Sequence, residues 1–371
     1  MERLKVAISR MNSDLFILLS TTSIRDFFLF IRLDMDNQNN DVQMKFHYMI
    51  ITAALCFSGI FSCTKTDEPG ALVPATVDED PGLPSIAISV GGHQRLIHYR
   101  VFGDSARPVL FIMHGSLSDM RAYLPLQELA ERYRVVMWDQ RGNGLSERVS
   151  KEELSFECMV QEISRVKSHF SPGRQISILG HSWSAVFVAR YLAEYPGEVD
   201  QAILMEPFGL KDAFMESLDG MLNLGTSGFM NMMYTSSYLT PRDHEILDFR
   251  MLATLRSGVR DYFCDCENLP DWPVWRVGGY ALLTWESGIL EKGRYRYDFT
   301  VGMGEFDGEV LLVGSECSPV GYAFQEEFHA GLFRNAAVLR IQNSGHRIIT
   351  ENYPSLINGL KEFLNAYKQA E

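Results

Sequence analysis

The sequence predicts an α/β fold: a mostly parallel central sheet flanked by helices, with a helical cap inserted late in the chain. Three observations lead there. Short apolar runs are continuous instead of alternating, the pattern of strands buried on both faces. These runs alternate with longer helical stretches, the order of parallel strands joined by crossover helices. Finally, His, Gly, Ser and acidic residues collect where the runs stop, which is where open sheets of this type hold their sites.

A Pro- and acid-rich stretch over 67–84 reads as a linker, and RLIHYRVFG as an early strand. RPVLFIMHG, YRVVMWDQRG, QISILGHS, DQAILMEP, GEVLLVGSE and AAVLRIQNSGH follow, each an apolar run ending in Gly, His or acidic residues. MRAYLPLQELAERY and FECMVQEISRVKSHF supply helical connections, and a further helix is expected over Ser184–Tyr195, apolar nearly all round as a helix packed on a sheet should be. Between Pro207 and Gly308 the alternation gives way to segments rich in Met, aromatics and Gly, which read as several short helices. The expected layout is a core of 85–206 and 309–371 with a cap of 207–308 over the strand ends.

At 371 residues and 46% hydrophobic composition, the chain can bury a sizeable core. A net charge of -13 without any block of Lys or Arg argues against nucleic acid and anionic membrane surfaces as partners. No uninterrupted apolar stretch is long enough to span a bilayer. Residues 44–62 instead have a short cationic start, an apolar centre over Tyr48–Phe61 and small residues before Cys63, the layout of a secretory signal. A Cys directly after IFS resembles a bacterial lipoprotein signal, in which Cys63 becomes the lipidated N-terminus and 63–84 the tether. Residues 1–43 are expected to be an upstream extension absent from the mature protein. The expectation is an exported protein, periplasmic or surface-facing, that touches the membrane only through its lipid anchor. The sequence assigns no oligomeric state.

Apart from Cys56 in the signal and Cys63, the cysteines are Cys158, Cys264, Cys266 and Cys317, which allow three pairings among which sequence does not choose. The Cys-x-Cys of 264–266 is too little for a metal site.

The chemistry centres on LGHSWSA, residues 179–185. Ser182 lies between a strand and a helix, two residues after Gly180, where a tight turn presents its hydroxyl above the sheet beside the positive end of the helix. The usual pattern has Gly where Ser184 stands, but Ser184 adds only a Cβ and a hydroxyl. The plainer reading, that Ser182 merely caps the helix, stands beside the nucleophilic one. FIMHGS puts His114-Gly115 at another strand end, where the amide of Ser116, with that of Trp183, is placed to hold a developing oxyanion, a contribution of roughly 3–4 kcal/mol per donor. WDQRGNGLSE carries two Gly and an Arg–Asp pair suited to a rigid loop, and NSGHR puts His346 after the last strand.

Taken together and in order, HGS, DQRGNGLSE, GHSWSA and SGH over residues 95–370 resemble the α/β-hydrolase fold, and the DQRGxGxS and GHSW wording is most similar to the prolyl aminopeptidase (proline iminopeptidase) branch. The resemblance implies Ser182 as nucleophile, His346 as base, 207–308 as the cap that shapes substrate choice, and no metal or organic cofactor. One departure is Ser184. Another is Cys317, at the position where the family usually has Asp, since a thiol cannot orient His346 and stabilise its imidazolium. Two carboxylates are open as substitutes. Glu316 comes one residue early, and Glu206 ends the strand after the nucleophile helix, the place from which haloalkane dehalogenases, in similar wording, take their acid. A site with no acid is the third possibility. Those dehalogenases use an Asp nucleophile, so Ser182 speaks against their chemistry here.

The expected activity is acyl transfer from an ester or amide, including removal of a peptide's N-terminal residue. An aminopeptidase needs a cap carboxylate for the substrate ammonium, and Asp243, Glu245, Asp265 and Glu267 are candidates. The alternatives are an esterase or lipase-like enzyme for small esters, and a non-catalytic binding lipoprotein on the same fold.

Overall fold

Alternation marks the first strand: in β1 (Ser85–Val90) Ile86, Ile88 and Val90 are buried while Ala87 and Ser89 face solvent. A turn through Gly91 and Gly92, with φ of 59° and 82°, returns the chain antiparallel as β2 (His93–Phe102). In this computed structural model the described residues are 74–214, 244–245, 247–248, 251, 263–265, 273–291 and 294–366.

The continuous apolar runs become β3 (Val109–Met113), β4 (Arg134–Trp138), β5 (Ile176–His181), β6 (Val199–Met205), β9 (Glu309–Ser315) and β10 (Asn335–Ile341). The sheet order is β1-β2-β4-β3-β5-β6-β9-β10. Pairing is antiparallel for β1–β2 and β2–β4 and parallel from β4 to β10. Two short strands, β7 (Leu290–Glu291) and β8 (Arg294–Tyr295), form a separate ribbon.

Helical segments cover both faces. α1 (Met120–Glu131) and α5 (Tyr353–Ala366) share one apolar cluster with Leu110, Val135, Leu179 and Val313. On the other face α2 (Phe156–Phe170), α3 (Trp183–Glu194) and α4 (Gly279–Ile289) pack with Phe111, Val136, Ile178 and Val310. α2 starts because the Ser155 hydroxyl accepts from the Cys158 amide at 3.2 Å. α3 buries Val186, Phe187, Val188, Tyr191 and Leu192, so truncating Phe187 to Ala is expected to cost about 3–5 kcal/mol.

Three elements differ from the sequence reading. β1 is an added strand, overlooked because its alternating pattern belongs to a strand with one wet face. α1 has 3₁₀ geometry with Pro125 inside it, a residue that has no N–H to give an α-helical ladder. β10 is an edge strand, so Ala336 and Ala337 are exposed although their run is continuously apolar. Of the 207–308 stretch, α4 lies in the described part and sets Trp285 edge-on against Trp183 and Phe187, at ring separations of 4.7 and 5.2 Å. The remainder of the expected short helices falls in part outside the described residues, as do residues 1–73, with Cys63, and Cys266.

Candidate active site

Four strand ends meet at one edge of the sheet, and each turns through a conformation that side-chain-bearing residues rarely adopt. Leu117 follows β3, Ser182 follows β5, Glu206 follows β6 and Asn343 follows β10, with φ of 53°, 59°, 44° and 49°. Among the described residues these are the non-glycine positions with positive φ. Each costs about 1–3 kcal/mol and persists only where its surroundings hold it.

Ser182 is held by its own amide, which donates to the Met205 carbonyl at 2.8 Å. A Cβ on Gly180 would lie 2.7 Å from the Ser184 carbonyl oxygen, so the turn requires glycine there. One on Gly115 would come within 3.3 Å of the Ser182 Cβ, which explains the other glycine of the approach. Ser184 fits without strain because its buried hydroxyl donates to the His114 carbonyl and accepts from Gln140 Nε2 at 2.8 Å. The hydroxyl thus stitches the start of α3 to the end of β3.

His346 arrives on the loop after β10. Its Nε2 lies 3.0 Å from Ser182 Oγ, and its Nδ1 lies 2.5 Å from Glu206 Oε2. A carboxylate accepts, so Nδ1 carries the hydrogen and Nε2 is left to accept from the Ser182 hydroxyl. Glu206 is fully buried, and its second oxygen accepts from both the amide (2.6 Å) and the hydroxyl of Ser315. Burial by itself would raise this carboxyl; the bonds from His346 and Ser315 outweigh it and hold the group below the ordinary carboxylate range.

Glu316 lies elsewhere. It is exposed, accepts from Arg340 at 2.8 Å and from the Asn343 amide at 3.0 Å, and those bonds keep its carboxyl low in pKa while fastening the turn. Cys317 forms a disulfide with Cys264, with Cα atoms 5.3 Å apart. The Cys317 amide donates to Ser344, and the Cys264 amide donates to Glu351, whose other oxygen accepts from Gly345 at 3.1 Å. The disulfide therefore ties the inserted stretch to the loop after β9, which meets the loop bearing His346 through the Cys317–Ser344 hydrogen bond, and Glu351 joins that loop to the inserted stretch through one carboxylate. Cys158 is a free, buried thiol.

Peptide geometry sets where the two amides expected as oxyanion donors point. Nε2 of His114 accepts from the Gln140 amide at 3.1 Å, so its Nδ1 donates, at 2.9 Å, to the Gly115 carbonyl. In a trans peptide C=O and N–H point opposite ways, so holding that carbonyl back turns the Ser116 amide outward. Trp183 is the first residue of α3, where an amide has no partner within the helix. Among the described residues neither amide has a hydrogen-bond acceptor.

Beside these groups stands an aromatic wall. Trp183 stacks on Phe208 at 5.3 Å, and Phe208 lies 6.0 Å from the His346 ring. Of the four cap carboxylates, Glu245 is ion-paired with Arg276 and with Arg148 at 3.4 Å, and Asp265 is exposed; Asp243 and Glu267 lie outside the described residues. Among the described residues no group of His, Cys, Asp or Glu has the make-up of a metal site. Sequence reasoning missed Gln140 and Ser315. Gln140 sits in the loop already singled out as rigid, whereas Ser315 carries no local signal.

Residues 108–353 match the family model of the alpha/beta hydrolase fold. Proline iminopeptidase PfmaB of Pestalotiopsis fici is 23% identical over 287 residues, covering 75% of this chain and 98% of its own length. The proline iminopeptidase of Lactobacillus crispatus is 28% identical over 296 residues, covering 73% and 94%. Among solved structures, the enol-lactonase from Burkholderia xenovorans LB400 shares the fold with a TM-score of 0.51 at 15% identity, covering 75% of this chain and 99% of that one.

Proposed function

We propose, from the premise that the chain belongs to the alpha/beta hydrolase family and is a hydrolase, that it works through Ser182 by acyl-enzyme chemistry on an ester or amide bond. The observation that carries the proposal is the run of hydrogen bonds from Ser182 Oγ through both nitrogens of His346 to buried Glu206. His346 Nε2 takes the hydroxyl proton as Oγ attacks the substrate carbonyl, and the amides of Ser116 and Trp183 receive the oxyanion. Glu206 stabilises the imidazolium, which returns the proton to the leaving amine or alcohol as its bond to the acyl carbon breaks. Water, deprotonated by His346, then attacks the acyl-enzyme and releases the acid and Ser182. The 207–308 stretch acts as the cap that selects the acyl group.

An aminopeptidase of the proline iminopeptidase type is supported by the named relatives and by the aromatic wall of Trp183 and Phe208, which suits a compact apolar ring. A small ester is favoured as a second substrate class by Glu245, whose charge is already met by Arg148 and Arg276 instead of facing a substrate ammonium. The signal-like segment 44–62 supports export with a lipid anchor at Cys63, which mass spectrometry of the mature N-terminus tests.

A fluorophosphonate probe tests the chemistry: it should add to Ser182 in the wild type and not in Ser182→Ala. No labelling would sink the serine mechanism and favour a binding protein on this fold. Comparing prolyl 4-nitroanilide with its N-acetylated form, and both with a nitrophenyl ester, separates the substrate classes, since an aminopeptidase requires the free amine.

A further inference from the structure

One buried polar chain at the site has no part in the proton transfers above. Tyr123, on α1, is 1% exposed, and His181, the last residue of β5, is 3% exposed. The Tyr123 hydroxyl lies 2.5 Å from His181 Nδ1 and accepts from the Gly115 amide at 2.8 Å. His181 Nε2 lies 3.0 Å from the backbone carbonyl of His346.

The direction of each bond follows from its ends. A carbonyl only accepts, so His181 Nε2 donates to His346. Nδ1 then accepts the Tyr123 proton, and the phenol oxygen is left for the Gly115 N–H. No group is used twice, and successive bonds in one direction polarise each other. Burial, with the neighbouring His346, pushes the His181 pKa down to about 3, so its ring stays neutral. That matters because the His181 and His346 rings are 4.8 Å apart, and a second cation there would oppose the imidazolium that catalysis forms.

We propose that Tyr123 and His181 are positioning residues that clamp the oxyanion strand end, the nucleophile turn and the base-bearing loop to one another. Each end of the chain grips backbone next to a reacting group: Gly115 precedes the Ser116 amide, His181 precedes Ser182, and the carbonyl gripped is that of His346 itself. Shifts of about 1 Å in such groups cost on the order of 10²-fold in rate. The proposal rests on the serine-hydrolase reading.

The two amide replacements of His181 cut the clamp at different bonds. His181→Asn keeps an acceptor near the Tyr123 hydroxyl but falls short of the His346 carbonyl; His181→Gln reaches that carbonyl. On a nitrophenyl ester of a short acid, the full chain carrying His181→Asn should lose about tenfold or more in kcat with KM within about twofold, and His181→Gln should recover to within about threefold. Tyr123→Phe, which strands the Gly115 amide, should also lose about tenfold in kcat. Ser182→Ala runs in parallel: if it stays active, the serine reading itself fails. If it is dead while His181→Asn turns over at the wild-type rate, or while Asn and Gln lose activity equally and in step with melting temperature, the clamp is overturned. Should the variants not fold, nitrogen NMR of the wild type decides. A neutral Nε2–H tautomer for His181 is expected, and an Nδ1–H tautomer overturns the proposal.

Discussion

The ends of β6 and β9 lie side by side, with Met205 paired to Val313, yet they treat their polar residues in opposite ways. At the end of β6, Glu206 is turned inward by a left-handed backbone, fully buried, and met by hydrogen bonds from His346 and twice from Ser315. At the end of β9, Glu316 faces solvent beside Arg340, and Cys317 is taken up in the bond to Cys264. A carboxylate governs a histidine only where water is excluded and its remaining lone pairs are met. The β6 end supplies both conditions. The β9 end supplies the partner, Ser315, and through Cys317 a covalent tie to Cys264 and a hydrogen bond to Ser344 on the loop that holds His346.

The largest break in that comparison is Glu206→Gln. Losing the acid's charge but keeping its shape has cost about 10⁴ in kcat in a protease triad, and a loss of several orders of magnitude with little change in KM is expected here. Glu316→Gln should cost about tenfold or less, its bonds being to Arg340 and a turn amide. Steady-state kinetics of the two variants checks both; a reversed result would move the acid to β9. Adding Cys317→Asp and Cys264→Ser to Glu206→Gln sharpens the contrast, since an acid at the family's usual position should restore part of the loss.

Removing the disulfide comes next. Cys264→Ser, or reduction by a dithiol, frees a cross-link between residues 53 apart and should lower stability by roughly 2–4 kcal/mol, read as a lower melting temperature. Chemistry at low temperature should survive, because Glu351 still joins Gly345 to the Cys264 amide.

Ser184→Gly bears on neither strand end and so calibrates the others. It restores the usual motif and removes one bond each from Gln140 and the His114 carbonyl, which still bond each other at 2.7 Å, so about 0.5–1.5 kcal/mol of stability should go, with kcat within a few-fold.

The smallest effect is a pH dependence. Burial holds His181 and His329, the latter on the connection after β9, to pKa values of about 3. Both lie below the unfolded value of about 6.5, so the unfolded chain binds protons that the folded chain refuses, and stability present above that pH is lost as it falls. Burial raises Asp248 to about 6, which works the other way as pH falls from 6 toward 4, where the folded chain holds the extra proton. Between neutral pH and about pH 5 these three groups leave roughly one net proton in favour of unfolding, so the melting temperature should decline gently. His329→Gln should flatten the decline and Asp248→Asn steepen it.

Residue type and order along the chain were enough to anticipate the sheet, the strand ends that carry Ser182 and His346, and the glycines around them. Buried strands must be apolar throughout, and a tight turn under a helix tolerates only small residues; both constraints are local and written in neighbouring positions. The exposed face of β10, the 3₁₀ geometry of α1 and the grip of Gln140 on Ser184 were not legible, since each depends on what packs alongside.

The acid shows the division most clearly. Sequence alone marked Cys317 at the family's usual acid position and left three options open: Glu206 or Glu316, each at a strand end, or no acid at all. Only the tertiary structure decided that His346 meets Glu206, because that depends on Ser315 lying one strand over to offset the burial of a charge, just as it alone brought Cys264 to Cys317 from 53 residues away. Hydrogen bonds and a disulfide between distant segments are settled by where the chain folds, and spacing along it carries no record of them.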